Sequence, residues 1–240
     1  MCWNQTVYFQ NHNGQEDSVD HFAEKLCLFC ICHPYLAHKP SHKRHFPEIV
    51  AAEVHAGNAN VIDERDIQAA RMLGIRGFQT QLAENIKNNQ ELRYRLGDID
   101  LGADLFAINE DHWGTLKVQV EAALMEILGP GILAAIATKI LYLKRPHLFP
   151  ICDTVVMNRL MGGYEGDCTQ TMACIDAVRK IGTDDANANI INQARTHVSA
   201  HLTPEHPYAK MSAVRALDAV LWFDSLELEH AGRHFHLMYR

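Results

Sequence analysis

Strand signals are almost absent from this sequence of 240 residues, because few stretches alternate apolar and polar side chains over the length of a strand. A β-rich fold is therefore excluded. Apolar runs are short, Ile132–Ala137 among them, against the roughly 20 residues of a membrane span, so no transmembrane helix is expected. The opening Met1-Cys2-Trp3-Asn4-Gln5 has neither a basic head nor an apolar run followed by a small-residue cleavage site, which argues against secretion. Seven cysteines, an odd and modest number, suit reduced thiols in a cytoplasm better than a disulfide framework. Positive charge is in deficit, with 22 Lys and Arg against 29 Asp and Glu and a net charge of −7. The chain as a whole is thus no basic nucleic-acid binder, and any contact with phosphate must be local. Neither a low-complexity linker nor a fixed-period repeat divides it, so residues 1–240 are expected to form a single domain.

What is present is helical periodicity in a composition that is 48% hydrophobic. Leu116, Val120, Leu124 and Ile127 fall on one helical face. Ala134–Leu143 is apolar almost all round, which marks a central helix. Further helices are predicted over Val19–Ile31, Glu64–Leu73, Thr80–Leu96, Thr154–Leu160, Gln170–Ile181, Asp185–His201 and Met211–Ser225. Asp63 and Thr183 read as helix starts, and Gly162-Gly163 and Gly182 as stops. His33–Pro47 and Thr203–Pro207 read as loops. The expected architecture is an all-α globule with two helical lobes around a groove.

The segment richest in chemistry is Gly129-Pro130-Gly131-Ile132-Leu133, the apolar helix behind it, and Lys144-Arg145-Pro146-His147-Leu148-Phe149-Pro150-Ile151-Cys152-Asp153. Asp153 opens the next helix. On its residue type and place alone it can be an N-cap whose carboxylate accepts backbone N–H groups, or a carboxylate held ready for chemistry.

This run resembles the helix-hairpin-helix DNA glycosylase superfamily, in which a Pro-Gly-apolar-Gly hairpin precedes a buried helix and a catalytic aspartate opens the next one. Aligned without gaps on the adenine-mismatch branch, Pro130-Gly131 falls on the hairpin and Phe149-Pro150-Ile151-Cys152-Asp153 on that branch's Phe-Pro-Ile-Leu-Asp. The resemblance covers about 30 residues. It implies that Asp153 is catalytic and that Gly129 and Gly131 approach DNA phosphate, the target base being flipped out of the stack. A carboxylate there would stabilise the positive charge that builds on the sugar as the N-glycosidic bond breaks, and would orient the attacking water. Two departures stand out. Leu133 replaces the second hairpin glycine. The last cysteine is Cys174, which leaves no C-terminal iron–sulfur cluster, and no cofactor is expected. The strand-cutting branches carry a lysine eighteen residues before the aspartate, a position held here by Ala135, so the expected product is an abasic site in an intact strand. Lys139, one helical turn on, lies on the same face and is a second catalytic candidate.

Lys144, Arg145 and His147 form a basic patch just before Asp153, and Lys39, His42, Lys43, Arg44 and His45 form another; each is either a set of phosphate contacts or a solvated loop. For the base pocket the candidates are Gln79 and Gln81 in the segment Gly77-Phe78-Gln79-Thr80-Gln81, with Tyr142 and Trp222. Tyr142 and Trp113 are otherwise core aromatics. Arg215, Asp218 and Trp222 share one helical face, as an intrahelical ion pair beside a core tryptophan or as pocket lining. Cys27 and Cys30, followed by His38, His42 and His45 with two of these histidines three apart, have roughly the spacing of zinc ligands, but the cysteines continue an apolar helical pattern in which cysteine packs as a hydrophobe, and no metal is assigned. The expected partner is DNA bearing a damaged or modified base, in repair or in defence against foreign DNA. A non-catalytic nucleic-acid-binding protein of the same type is the alternative. A metal-dependent hydrolase built on the histidines lacks any His-Glu-x-x-His constellation.

Overall fold

Helix starts in this chain are set by short acidic and amide side chains. Asp63, Asn89, Asn109, Asp153, Asp167 and Asp184 each accept first-turn N–H groups that have no partner within the helix. Asp63 completes a capping box, taking the Arg65 and Asp66 N–H groups at 2.8 and 3.2 Å while Asp66 Oδ2 accepts from the Asp63 N–H at 2.8 Å.

The computed structural model describes residues 46–75, 79–204 and 206–230, together with Phe22, Ala23, Lys25, Leu26, Cys27 and Phe29. Among the described residues the helices are α1 (Phe46–Ala52), α2 (Glu64–Met72), α3 (Thr80–Lys87), α4 (Gln90–Asp98), α5 (Glu110–Ile127), α6 (Ala134–Lys144), α7 (Thr154–Met161), α8 (Cys168–Thr183), α9 (Asp185–Ala200) and α10 (Ala213–His230), with a 3₁₀ turn at Pro207–Lys210 before the last. The sole β feature among them is one isolated bridge. The fold is all-α. No described helix is long and apolar enough to cross a membrane.

Helix α6 is central because its sequence leaves it no polar face. Ala134 and every residue from Ala137 to Lys144 are buried, and α1, α2 and α5 pack around it. Helix α7 packs on α8 and α10, and α10 also contacts α9. The buried apolar side chains join in one cluster running from Phe22 to Phe223.

Four boundaries differ from the sequence expectation. Thr80–Leu96 is two helices, because Asn89 caps the second through the Leu92 N–H at 2.9 Å and donates to the Glu126 carbonyl at 3.0 Å. Helix α1 begins inside the expected loop His33–Pro47. Gly182 lies in the last turn of α8, where a Cβ would stand 2.2 Å from the Phe106 ring; it is required for packing, not for termination. The cap of α9 is Asp184, while the Thr183 hydroxyl donates back to the Arg179 carbonyl at 2.9 Å. Gly162 does stop α7, at φ 73°.

Candidate functional site

The turn Phe149–Asp153 is pinned from two sides before α7 starts. Ile151 N–H donates to Asp218 Oδ2 at 2.8 Å, and Cys152 N–H donates to Thr138 Oγ1 at 3.1 Å. Thr138 in turn donates to the Ala134 carbonyl at 2.7 Å. Helices α6 and α10 therefore fix the backbone that presents Asp153. Its Oδ1 accepts the Val155 and Val156 N–H groups, both at 3.1 Å, so Asp153 is the cap of α7. Oδ2 accepts no hydrogen bond from the described residues, and the carboxylate faces a cavity of about 20 Å³. That is room for one water molecule and none for a base.

Lys139 also lines this cavity. It is 8% exposed and forms no ion pair within 4 Å among the described residues. Burial pushes the Asp153 carboxyl up, opposed first by the positive charge of Lys139. Burial likewise pulls the Lys139 ammonium down, opposed first by Asp153. Each group is held toward neutrality, and each is the other's main counter-charge.

Arg215, Asp218, Trp222, Ile151, Phe29 and Leu73 complete the lining. Arg215 donates to Asp218 Oδ1 at 2.5 Å and to Glu48 Oε1 at 3.3 Å, and its guanidinium lies 5.0 Å from the Phe29 ring centre and 5.4 Å from that of Tyr142. One guanidinium thus serves two buried carboxylates. Desolvation keeps the Asp218 carboxyl raised, to about 6, against the pull of Arg215. Glu48 was not among the sequence candidates. Its position after Phe46-Pro47, where a proline can occupy the first turn of a helix, was the available signal.

The turn Gly129–Ile132 closes with Leu133 behind it in place of a glycine. Gly129 N–H donates to the Ile132 carbonyl at 3.0 Å and Ile132 N–H returns the bond at 2.8 Å. Pro130 and Gly131 form the corner, with Gly131 at φ 82°, which is the demand of a type II turn. Leu133 adopts φ −96°, open to any residue, and its side chain is 46% exposed. The Ala134 N–H donates to the Gly166 carbonyl at 3.1 Å. Tyr164 packs partly buried against the core, and burial pushes its hydroxyl up.

Two expected phosphate contacts are overturned. Lys144 and Asp66 form an ion pair at 2.6 Å with both side chains 2% exposed. Arg145 is equally buried and donates to the carbonyls of Ala59 (2.8 Å), Lys144 (2.9 Å), Ile99 (3.0 and 3.2 Å) and Leu96, and to Asn60 Oδ1 at 2.8 Å. Its donors are spent inside the protein. Of the patch only His147 is exposed, 3.7 Å from Asp104. Gln79 and Gln81 are exposed and do not line the Asp153 cavity. Gln81 donates instead to Asn85 at 3.0 Å. Tyr142 is buried against Arg215 and lines a different cavity, so it is not a base-stacking wall beside Asp153. Trp113 is a core residue whose indole N–H donates to Asp176 at 2.9 Å. Trp222 does reach the Asp153 cavity. Gly77 and Phe78, the patch Lys39–His45, and Cys30, His38 and His42 lie outside the described residues. Cys27 is half-buried, and no group of three metal-ligating side chains occurs among the described residues.

A model of a family of unknown function, DUF6308, matches residues 31–225. No curated protein and no solved structure matches the chain.

Proposed function

This chain belongs to the DUF6308 family of unknown function, and from its own buried site we propose that it is a DNA glycosylase-like hydrolase that removes a damaged or modified base. The supporting observation is the division of labour in one carboxylate. Asp153 uses Oδ1 to cap α7 and leaves Oδ2 facing a water-sized cavity shared with Lys139. The cap fixes the carboxylate's direction at no cost to its free oxygen.

In this chemistry the water in the cavity is the nucleophile. As the bond from sugar to base breaks, positive charge develops on the sugar, and Asp153 stabilises it and accepts a proton from the attacking water. A carboxyl whose affinity for protons is raised by burial is the better base. The positive charge of Lys139 opposes that rise. Ala135 has no amine to form an imine, so the product is an abasic site in an unbroken strand. The base itself is received outside the cavity, which Trp222 and Phe29 line with buried rings that meet edge to face at 6.3 Å.

The exposed corner Gly129-Pro130-Gly131 is offered to the strand, with DNA as the partner. Two lobes of helices, before and after the hairpin, would then flank the flipped nucleotide in a groove. Incubation with duplexes carrying a panel of damaged and naturally hypermodified bases, followed by alkaline cleavage, should reveal abasic sites. Asp153→Asn should lower that rate by about 10²-fold or more while leaving the helical circular dichroism unchanged, since an amide oxygen still caps α7. Equal strand cleavage by both proteins refutes the assignment, as does no cleavage on any duplex.

A further inference from the structure

Helix α9 ends on two histidines four positions apart, His197 in its last turn and His201 at its cap, and both are exposed. Side chains at that spacing on a helix are neighbours, with Cβ atoms about 5–6 Å apart. The two ring centres stand 4.7 Å apart, and the ring planes are tilted by 42°. A metal ion bound to a ring nitrogen at about 2.0–2.1 Å lies about 3.2 Å from the centre of that ring, so two imidazoles that meet one ion at about 90–110° hold their centres about 4.5–5.2 Å apart. The observed separation falls inside that interval.

One of the two rings is oriented as a metal ligand is oriented. His201 Nδ1 lies 2.8 Å from the His197 carbonyl oxygen. A carbonyl oxygen only accepts, so Nδ1 carries the proton, and in the neutral ring the lone pair is then on Nε2. That carbonyl is among the last four of α9, which have no partner within the helix. A backbone carbonyl behind the far ring nitrogen is a common support of metal-bound histidine, because it fixes both the tautomer and the direction of the ring. The location favours a cation as well, since the C-terminal end of a helix carries partial negative charge. No third His, Cys, Asp or Glu joins the pair among the described residues, which leaves the ion's other coordination positions to water.

We propose that His197 and His201 form a surface site for a divalent transition-metal ion, bound through Nε2 of His201 and a ring nitrogen of His197. Imidazole selects ions of the nickel, copper and zinc class over magnesium and calcium, which take oxygen ligands. Neither histidine lines the Asp153 cavity, and the site stands or falls separately from the glycosylase assignment.

Ni²⁺ is the probe, with Mg²⁺ as the oxygen-preferring competitor, in equilibrium dialysis against the full chain. His197→Ala and His201→Ala should each weaken one bound equivalent of Ni²⁺ about 10²-fold, because the second imidazole of a chelate acts at high effective concentration. His112→Ala, which removes an exposed histidine on another helix, should leave binding unchanged, as should an equal concentration of Mg²⁺. Should His201→Ala lose its helical circular dichroism, His197→Ala alone decides. No bound equivalent at about 1 mM Ni²⁺, binding unchanged in His197→Ala, the same loss in His112→Ala, or displacement by Mg²⁺ overturns the proposal.

Discussion

Replacing Arg145 by alanine should cost the protein about 3–6 kcal/mol of stability, a large part of the ~5–15 kcal/mol available to a domain. The guanidinium ties the end of α6 to the loop at Ala59 and Asn60 on one side and to the C-terminal end of α4, at Leu96 and Ile99, on the other. Its removal strands the carbonyls of Ala59 and Ile99 in sites that are 3% and 1% exposed. The Leu96 carbonyl fares better, since it still accepts the Ile99 N–H at 3.3 Å. Two buried acceptors at about 1–3 kcal/mol each, with some loss of packing from the deleted stem, give the stated figure. Lysine keeps the charge but lacks the planar fork, so Arg145→Lys should lose about half as much. Urea unfolding followed by circular dichroism measures both, and the alanine variant should shift its midpoint with little change in slope. DNA binding by Arg145→Lys gives the counter-test, because a group with no exposed donor cannot alter the salt dependence of affinity. A loss below about 1 kcal/mol in Arg145→Ala, or a salt slope reduced by about one unit in the folded Arg145→Lys, would refute the buried-clamp account and restore Arg145 as a phosphate contact.

Borohydride treatment during turnover should trap no protein–DNA adduct, and an adduct that disappears in Lys139→Ala would make Lys139 an imine-forming nucleophile instead. The Asp218 carboxyl, held at about 6 in the fold against about 4 when unfolded, favours the folded state most below about pH 4 and loses that contribution as pH rises through 6. Asp218→Asn should therefore flatten the pH dependence of the unfolding midpoint between about pH 4 and 6, and an unchanged profile would contradict the raised value. Gly131→Ala places a Cβ at φ 82°, 3.1 Å from Leu82 Cδ1, and should destabilise by about 1–2 kcal/mol. A neutral result in thermal unfolding would mean that the corner does not need its left-handed residue.

Much of the candidate site was legible because its determinants are local. Asp153 after a proline-bearing turn reads as a cap from four consecutive residues, and the cap is present. The (i, i+3) spacing of Arg215 and Asp218 foretold their ion pair, and the uninterrupted apolar character of Ala134–Leu143 foretold a central helix. Lys144 and Arg145 were misread for an equally definite reason. A pair of cations before a candidate catalytic residue looks the same in sequence whether it meets phosphate or a buried acceptor. Their partners Asp66, Ala59 and Ile99 are 46 to 86 positions away.

The sequence by itself determined most of the helices, the caps at Asp63 and Asp153 and the Pro130-Gly131 corner, since spacing and short side chains act within one or two turns of chain. Only the tertiary structure decided which charges are buried. It set Glu48 from α1 and Asp218 from α10 on one guanidinium, and Lys139 beside Asp153 in a cavity the size of a water molecule. Burial is a property of packed helices and not of any segment alone, and it is burial that turns an ordinary carboxylate and an ordinary lysine into a pair whose proton affinities are displaced toward each other.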